Sequence, residues 1–207
     1  MSDGEATSSD ERASVGVVAP EADERRIVDA IADAGGVSNV GSAETVAESA
    51  AVVAVGDTAL SDLAAAGVSA PVLPVAAGVT GVPLDDARRA IERVLAEEYE
   101  RRELPFVYVD TDEESGHALF NVSLTTAELG TISEFAVETL CEPSSRDSAD
   151  APVARFRADG VVVATPAGSR GYARAAGGPV VVPGSEVLSV VPIAPFSTDP
   201  DHWVLPL

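Results

Sequence analysis

The first hundred residues alternate between short, largely apolar runs and longer segments with a single apolar face. An apolar run of strand length without a polar face is typical of a parallel sheet, which helices cover on both sides. Such runs occupy residues 14–19, 50–55 and 71–75. Apolar positions recur at helical spacing in residues 21–34, 43–49, 60–65 and 84–102. This alternation predicts an α/β domain with a parallel, Rossmann-like sheet.

The pattern changes at about residue 104, after which the apolar runs are short and separated by Gly, Pro, Ser and Asp. Runs of this kind predict strands. They occupy residues 106–109, 118–125, 131–140, 153–165, 180–182, 187–193 and 203–207. The predicted organisation is an acidic, flexible leader over residues 1–13, an α/β domain over residues 14–103 and a mostly β, sandwich-like domain over residues 104–207.

Composition is that of a chain with a packed core, since hydrophobic residues make up 46% of its 207 residues. No apolar run reaches the roughly 18–20 residues that span a bilayer, and the acidic N-terminus has no signal-peptide pattern. The single cysteine, Cys141, cannot form an intramolecular disulfide. We therefore expect a soluble, cytoplasmic protein that does not associate with a membrane.

The charge balance is strongly acidic, with 34 Asp and Glu residues against 13 basic residues, all of them arginine. A net charge of -21 argues against binding nucleic acid, which requires positive charge on the protein. The lack of lysine excludes a phosphate-binding loop of the Walker A type. Acidic, lysine-free sequences rich in Ala and Val are typical of the cytoplasmic proteins of haloarchaea, in which concentrated salt screens the repulsion between carboxylates. The charge therefore indicates a halophilic, archaeal source rather than an activity.

Residues 159–179 form the segment with the most chemical character. A buried strand ends at Thr165, a glycine-containing turn follows, and about two turns of glycine-capped helix are predicted after it. Free backbone N–H groups at the start of a helix suit an anion or a nucleotide. Gly168 permits a close backbone approach or a positive φ, while Ser169 and Arg170 offer a hydroxyl and a fixed charge. On these residues alone, a ligand site and an ordinary strand–turn–helix corner both remain open.

The same segment resembles a sequence block of the NAD kinase family, which reads Asp-Gly, a hydrophobic strand, Thr-Pro-Thr-Gly-Ser-Thr-Ala-Tyr and then Ser-Ala-Gly-Gly-Pro. The matching residues are Asp159-Gly160, Thr165-Pro166, Gly168-Ser169, Tyr172 and Ala176-Gly177-Gly178-Pro179. Residues 190–195 are similar to the family's strand that ends in a Pro-Ile-Cys-Pro-like segment. Because this block lines the NAD site in the family, the resemblance implies dinucleotide binding by Asp159, Thr165, Gly168, Ser169, Arg170 and Tyr172.

A second family signature is Gly-Gly-Asp-Gly-Thr after a buried strand, and residues 55–59 stand at that place. The resemblance implies that Asp57 is the catalytic carboxylate and that Gly56, Thr58 and Gly78 form the donor-phosphate loop. Val55 and Thr58 replace the first and third glycines of the signature, and Thr58 brings a Cβ to a position where the family has none. Taken without the resemblance, Gly-Asp-Thr after a strand favours the start of a helix with a capping side chain.

Two further segments resemble the family with substitutions at ligand positions. Residues 71–81 are similar to Pro-Ile-Leu-Gly-Val-Asn-x-Gly-x-x-Gly, with Ala76 in place of the asparagine. Residues 118–122 are similar to Ala-Leu-Asn-Glu followed by a strand, with Phe120 and Asn121 in place of the asparagine and the acid. A shift of one residue would give Asn121 the asparagine's role in dinucleotide binding, although such a shift breaks the strand register.

The resemblance covers roughly residues 14–207, implies an NAD kinase-like fold with a homo-oligomeric assembly, and leaves three functions open. The first is phosphorylation of the 2′-hydroxyl of the adenosine ribose of NAD by ATP or polyphosphate, with Mg²⁺ on the ATP and no metal ligand assigned in the protein. The second is a non-catalytic dinucleotide-binding sensor or partner subunit with a degenerate site. The third is a related small-molecule kinase with another acceptor.

Overall fold

The computed structural model describes residues 13–78, 81–112, 115–126, 132–138 and 153–207. The chain divides into two compact units, Met1–Arg102 and Glu103–Leu207. Cys141 and residues 1–12 of the predicted leader lie outside the described residues. In the described part of the chain, no helix has the length and apolarity that crossing a membrane requires.

The first unit contains a four-stranded parallel sheet in the order β2-β1-β3-β4. Its strands are Ser14–Val18 (β1), Val37–Val40 (β2), Ala51–Val55 (β3) and Val72–Val75 (β4). Its helices are Glu21–Asp33 (α1), Ala43–Val46 (α2), Gly56–Ala65 (α3) and Ala87–Leu95 (α4), the last preceded by a 3-10 turn at Leu84–Asp86. The predicted parallel α/β architecture is confirmed.

The central strand β3 explains why the sequence shows an apolar run without a polar face. Val53 and Val55 pack in one core with residues of α1 and α4, whereas Val52 and Ala54 pack in a second core with residues of α2 and α3. Successive side chains of a strand point to opposite faces, so helices on both faces require an apolar residue at every position. All five residues of β3 are accordingly buried.

Three elements of the first unit differ from the prediction. Strand β2 lies where only a polar link was predicted. Its middle residues are polar, so no apolar run marks it in the sequence, and the strand forms through backbone pairing with β1 at the edge of the sheet. Helix α3 begins at Gly56 instead of residue 60. Helix α4 ends at Leu95 instead of residue 102, because Glu97 adopts a left-handed φ of 57° and the N–H of Glu98 bonds back to the carbonyl of Arg93.

The second unit is mostly β, as predicted, and its strands pair antiparallel. They are Val107–Asp110 (β5), Ser115–Ala118 (β6), Asn121–Thr125 (β7), Ser133–Val137 (β8), Ala154–Ala158 (β9), Gly160–Ala164 (β10), Val187–Ile193 (β11) and Trp203–Pro206 (β12). One sheet has the order β12-β11-β10-β7, and β5-β6 and β8-β9 form two-stranded sheets. A single helical turn, Tyr172–Ala175 (α5), follows β10.

Aromatic and small residues cover the sheet of the second unit on its two faces. The rings of Phe135, Phe156 and Trp203 stack at centroid distances of 5.7 and 5.2 Å and join the β8-β9 pair to β12. On the other face, Ala173 of α5 packs with Val162, Ala164 and Val191. In this sandwich-like arrangement, side chains pack on both faces of the sheet that contains β10, the strand that leads into the candidate ligand turn.

Several predicted boundaries in the second unit are wrong for identifiable reasons. Residues 180–182 are not a strand, because prolines flank them and the N–H of Val181 bonds to the hydroxyl of Ser169. The predicted strand 118–125 is interrupted at Leu119 and Phe120, and the predicted strand 153–165 is divided at Asp159. Helix α5 has one turn instead of two.

Candidate functional site

Asp57 lies where β3 ends, in the first turn of α3, and its side chain is exposed. Its Oδ1 accepts a hydrogen bond of 2.5 Å from the backbone N–H of Gly78, which follows β4. Strands β3 and β4 are parallel neighbours, so their carboxyl ends meet at the same edge of the sheet. Ligands of open α/β sheets bind at that edge. The structure therefore brings together Asp57 and Gly78, which the sequence places 21 residues apart.

The predicted glycine loop is the first turn of a helix. Gly56 has a φ of 86°, a conformation that side chains other than glycine rarely adopt. Val55 is extended and 4% exposed, so the position of the family's first glycine is filled by a core side chain. Thr58 is exposed on α3. The alternative prediction, a capping side chain at the start of this helix, is wrong. The N-cap residue is Val55, and the carboxylate of Asp57 accepts a hydrogen bond from Gly78 instead.

The backbone after β4 is strained at Ala76, which occupies the position of the family's asparagine. Its φ is 49°, and Gly78 two residues later has a φ of 60°. The left-handed region costs most L-residues free energy, while asparagine and glycine enter it readily. The left-handed torsion thus gives a backbone reason for an asparagine at this position.

The turn that follows β10 is anchored from inside the second unit by Thr165. This residue is fully buried, and its Oγ1 donates a 2.6 Å hydrogen bond to the carbonyl of Leu119. Its backbone N–H donates to the carbonyl of Phe120 at 2.9 Å. Thr165 thus ties the end of β10 to the break between β6 and β7, 46 residues earlier in the chain.

Gly168 permits a close approach between two backbone segments. A Cβ at this position would lie 1.9 Å from the carbonyl oxygen of Phe120, nearer than any two such atoms can come. Of the two reasons that the sequence left open for this glycine, the close approach is therefore the one that applies. The backbone it approaches belongs to the protein itself.

Ser169 is fully buried and uses its hydroxyl within the turn. Its Oγ donates to the carbonyl of Pro166 at 2.8 Å and accepts from the N–H of Val181 at 3.0 Å. The first bond closes the turn, and the second holds residues 180–182 against it. Thr165, Gly168 and Ser169 therefore build the turn, and direct contacts between them and a dinucleotide remain a prediction.

Three further members of the predicted site, which are exposed or half-buried, lie around the same end of β10. Asn121 begins β7 and pairs directly with Ala164, so its half-buried side chain stands next to the turn. Arg170 is exposed, and Tyr172, which begins α5, is 49% exposed. Asn121 is the first residue of β7 and pairs with the last residue of β10, so it lies beside the turn.

Asp159 is not brought together with these residues. It precedes β10, whereas Thr165 follows it, so a five-residue strand separates them. At about 3.3 Å per residue, the two ends of this segment lie roughly 20 Å apart. The adjacent Gly160 has a packing role, since a Cβ there would lie 2.5 Å from the carbonyl oxygen of Leu124. Within one chain, Asp159 is therefore remote from the turn.

Sequence reasoning missed the partners that shape the turn. Phe120 and Val181 contact the turn through backbone atoms. Any residue type can make such a contact, so the sequence does not reveal it. The predicted glycine cap of α5 is confirmed, since Gly177 has a φ of 95°. The clustering of Asn121 with the turn could have been found only from the pairing of β7 with β10.

The described residues contain no cluster of three or more His, Cys, Asp or Glu side chains that could hold a metal ion. Mg²⁺ in phosphoryl-transfer sites is commonly bound by one or two carboxylates together with the phosphates of the substrate. The exposed carboxylate of Asp57 fits that limited role. The donor set thus suits a metal that arrives with a nucleotide and does not suit a metal site made by the protein alone.

Comparison with known proteins defines the class first by fold. A solved NAD kinase from Archaeoglobus fulgidus in complex with ATP superimposes with a TM-score of 0.69 at 22% identity, over 94% of this chain and 77% of that one. A yeast NADH kinase complexed with NADH superimposes with a TM-score of 0.71 at 15% identity, over 96% of this chain and 67% of that one. The fold is therefore that of NAD kinases, as predicted.

Sequence similarity points to the same family as the fold. Residues 124–206 match the ATP-NAD kinase C-terminal domain. An NAD kinase from Methanosarcina barkeri is 34% identical over 141 residues, which are 66% of this chain and 48% of that protein. These matches support membership of the NAD kinase family. The chain spans about half the length of the curated relative it matches here.

Proposed function

We propose that the protein is an NAD kinase, which transfers the γ-phosphoryl group of ATP to the 2′-hydroxyl of the adenosine ribose of NAD and yields NADP. The observation that carries this proposal is the carboxylate of Asp57 at the carboxyl end of β3, held by the N–H of Gly78. The proposal is supported by the similarity to an NAD kinase and by the ATP and NADH present in the two structural neighbours.

In the proposed reaction, the ribose oxygen forms a bond to the γ-phosphorus while the bond between that phosphorus and the β–γ bridging oxygen of ATP breaks. Asp57 orients the hydroxyl and accepts its proton, and ADP leaves. Catalysis of this type depends mainly on positioning and charge stabilisation. Mg²⁺ bound to ATP supplies further neutralisation of the phosphate charge.

We assign the two substrates to the two predicted domains. The α/β domain, residues 14–103, holds the phosphate donor through Gly56, Thr58 and Gly78. The β-rich domain, residues 104–207, holds the dinucleotide. There Asn121, Arg170 and Tyr172 present side chains at the surface, and Thr165, Gly168 and Ser169 keep the turn in shape.

A second candidate function is a dinucleotide-binding sensor or partner subunit without catalysis. It is favoured by Val55, whose side chain fills the core where the family has glycine, and by Thr58 in place of another glycine. Both changes replace hydrogen atoms with side chains at a loop that must approach phosphates closely. This candidate retains dinucleotide binding but predicts no turnover.

Turnover by the purified protein separates these candidates. NADP formation is measured with NAD, ATP and Mg²⁺ in about 1 M KCl, where surface charge is screened over about 3 Å. We expect Asp57→Asn to lower kcat by a factor of about 100 or more, as for loss of a catalytic acid–base group. Asp62→Asn, an exposed carboxylate on the same helix, is the matched control and should leave kcat unchanged.

Each result has a distinct meaning. Turnover that survives Asp57→Asn would remove this carboxylate from the mechanism. Dinucleotide binding without turnover in the unmodified protein would favour the sensor, and phosphorylation of another alcohol but not of NAD would indicate a kinase with a different acceptor.

We also propose that the protein works in the cytoplasm of a halophilic archaeon and assembles as a homo-oligomer. Net charge and the lack of lysine support the first part, and the similarity to archaeal relatives is in line with it. Sedimentation of the protein in concentrated KCl tests the second part, since a monomer at micromolar concentration would contradict it.

A further inference from the structure

Arg170 lies in a part of the chain that carries no negative charge. Residues 160–185 contain two arginines and not one Asp or Glu, although the whole chain has 34 acidic residues among 207. The net charge of the chain is -21, whereas this segment has a formal charge of two positive units. A positive side chain here therefore has no acidic neighbour along the sequence to neutralise it.

The guanidinium of Arg170 is also without a partner in the folded chain, as far as the described residues extend. Other arginines of the described part are paired with carboxylates, such as Arg26 with Asp85 and Arg155 with Glu134. The second arginine of the segment, Arg174, donates a hydrogen bond to the carbonyl of Gly178 at 3.2 Å. Arg170 is thus an exposed arginine whose guanidinium is free to bind a ligand.

The backbone that carries Arg170 is held on both sides. Ser169, which precedes it, is fully buried and bonded through its hydroxyl to Pro166 and Val181. Gly171, which follows it, donates its N–H to the carbonyl of Gly168 at 3.0 Å. A charge on a fixed backbone loses less conformational entropy when it binds a ligand than one on a mobile loop.

A planar guanidinium with paired donors matches two oxygens of one phosphate group. We infer that Arg170 binds a terminal phosphate of the dinucleotide and makes this site prefer NADP over NAD, an inference that rests on the proposed function for the identity of the dinucleotide. A terminal phosphate monoester carries about 1.5 to 2 negative charges at neutral pH, more than either phosphate of the pyrophosphate bridge.

This preference has a consequence for the proposed reaction. The product carries the phosphate that Arg170 binds, and the substrate does not, so NADP competes with NAD for the site. The pattern of the NAD kinase family has an uncharged threonine at this position, and so the preference is a property of this chain rather than one implied by the family resemblance.

The test is a comparison of binding constants for NAD, NADP and inorganic tripolyphosphate, measured by calorimetry in about 1 M KCl, where long-range attraction is screened and direct contacts remain. We expect the unmodified protein to bind NADP at least about tenfold more tightly than NAD, the factor expected for one charge-assisted contact. Arg170→Thr should bring the ratio of the two constants close to one. Arg170→Lys, which keeps the charge but loses the planar fork, should retain part of it.

Arg93→Thr is the control for net charge, because Arg93 is exposed on α4 and its guanidinium likewise has no ion-pair or hydrogen-bond partner among the described residues. This variant should keep the full preference for NADP. Displacement of NADP by tripolyphosphate from the unmodified protein, but not from Arg170→Thr, would indicate that phosphate alone is recognised. Failure of tripolyphosphate to displace NADP would indicate that Arg170 binds the phosphate only when the dinucleotide carries it. Either result with tripolyphosphate agrees with the inference.

Three outcomes would overturn the inference: equal affinity of the unmodified protein for NAD and NADP, an unchanged ratio in Arg170→Thr, or no binding of either dinucleotide by the folded protein. An Arg170-dependent preference without any turnover would instead overturn the proposed kinase activity and leave this inference standing. Circular dichroism of each variant establishes that the fold is retained.

Discussion

At the end of β4, a single backbone torsion predicts the effect of a substitution. Ala76 is exposed and has a φ of 49°, a conformation that costs an L-residue roughly 1–2 kcal/mol relative to glycine. Part of this cost is offset in a glycine variant by the greater freedom of the unfolded chain. We expect Ala76→Gly to raise the free energy of unfolding by about 0.5–1 kcal/mol. Ala76→Asn should have the same sign, since asparagine tolerates this region.

Ala66 provides the matched control for this prediction. It is exposed at the end of α3 with an ordinary helical φ of -76°, so Ala66→Gly should lower the free energy of unfolding. The measurement is denaturant unfolding of the three variants at one salt concentration. Destabilisation by Ala76→Gly of the size seen for Ala66→Gly would show that the left-handed torsion carries no strain.

At the scale of elements, the turn after β10 and the break between β6 and β7 form one unit of structure, joined at Gly168. A Cβ at Gly168 would lie 1.9 Å from the backbone of Phe120, and backbone cannot move aside as a flexible side chain can. We expect Gly168→Ala to lower the free energy of unfolding by about 1–3 kcal/mol and to weaken dinucleotide binding, because the turn must move. Gly116→Ala, in a strand with no atom within 4 Å of the added Cβ, should be close to neutral.

Thermal unfolding of both variants, together with their affinity for NAD, checks this coupling. Equal stability of Gly168→Ala and Gly116→Ala would mean that the close approach is relieved without cost. A stable Gly168→Ala protein that no longer binds NAD would instead place the added methyl group in the path of the ligand.

How much of the fold the sequence predicts depends on where each element obtains its stability. Strand β3 and helix α1 were predictable because their apolar positions are dictated by the helices and strands that cover them. Strand β2 was not, since Ser38 and Asn39 are polar and the strand exists through backbone pairing with β1. The end of α4 was missed because the left-handed residue that terminates it is Glu97 and not glycine.

The candidate site was predictable as a set of residues but not as an arrangement. The block around Gly168 is recognisable in sequence, yet the carbonyls that accept from Thr165 and Ser169 could have come from any residue. For the same reason, the sequence grouped Asp159 with Thr165, although a strand holds them apart. Spacing along the chain is a poor guide to distance once a segment becomes extended.

At the scale of the whole molecule, electrostatic terms of opposite sign compete. Exposed ion pairs such as Arg26–Asp85 and Arg88–Asp33 join α1 to the region around α4, and pairs of this kind contribute about 0–1 kcal/mol each. Salt weakens them. The excess of 21 negative charges repels itself more strongly in the compact state than in the unfolded chain, and salt weakens this repulsion as well.

The larger of these terms decides how stability depends on salt. Because the chain has 34 acidic and only 13 basic residues, most carboxylates have no arginine to pair with, and repulsion outweighs the ion pairs. The screening length falls from about 10 Å at 0.1 M to about 3 Å at 1 M salt. We therefore expect the midpoint of thermal unfolding to rise steadily as KCl increases over this range. Sucrose at matched osmolality is the control for effects other than screening. A midpoint that falls with KCl would mean that the ion pairs dominate and that the acidic surface is not an adaptation to salt.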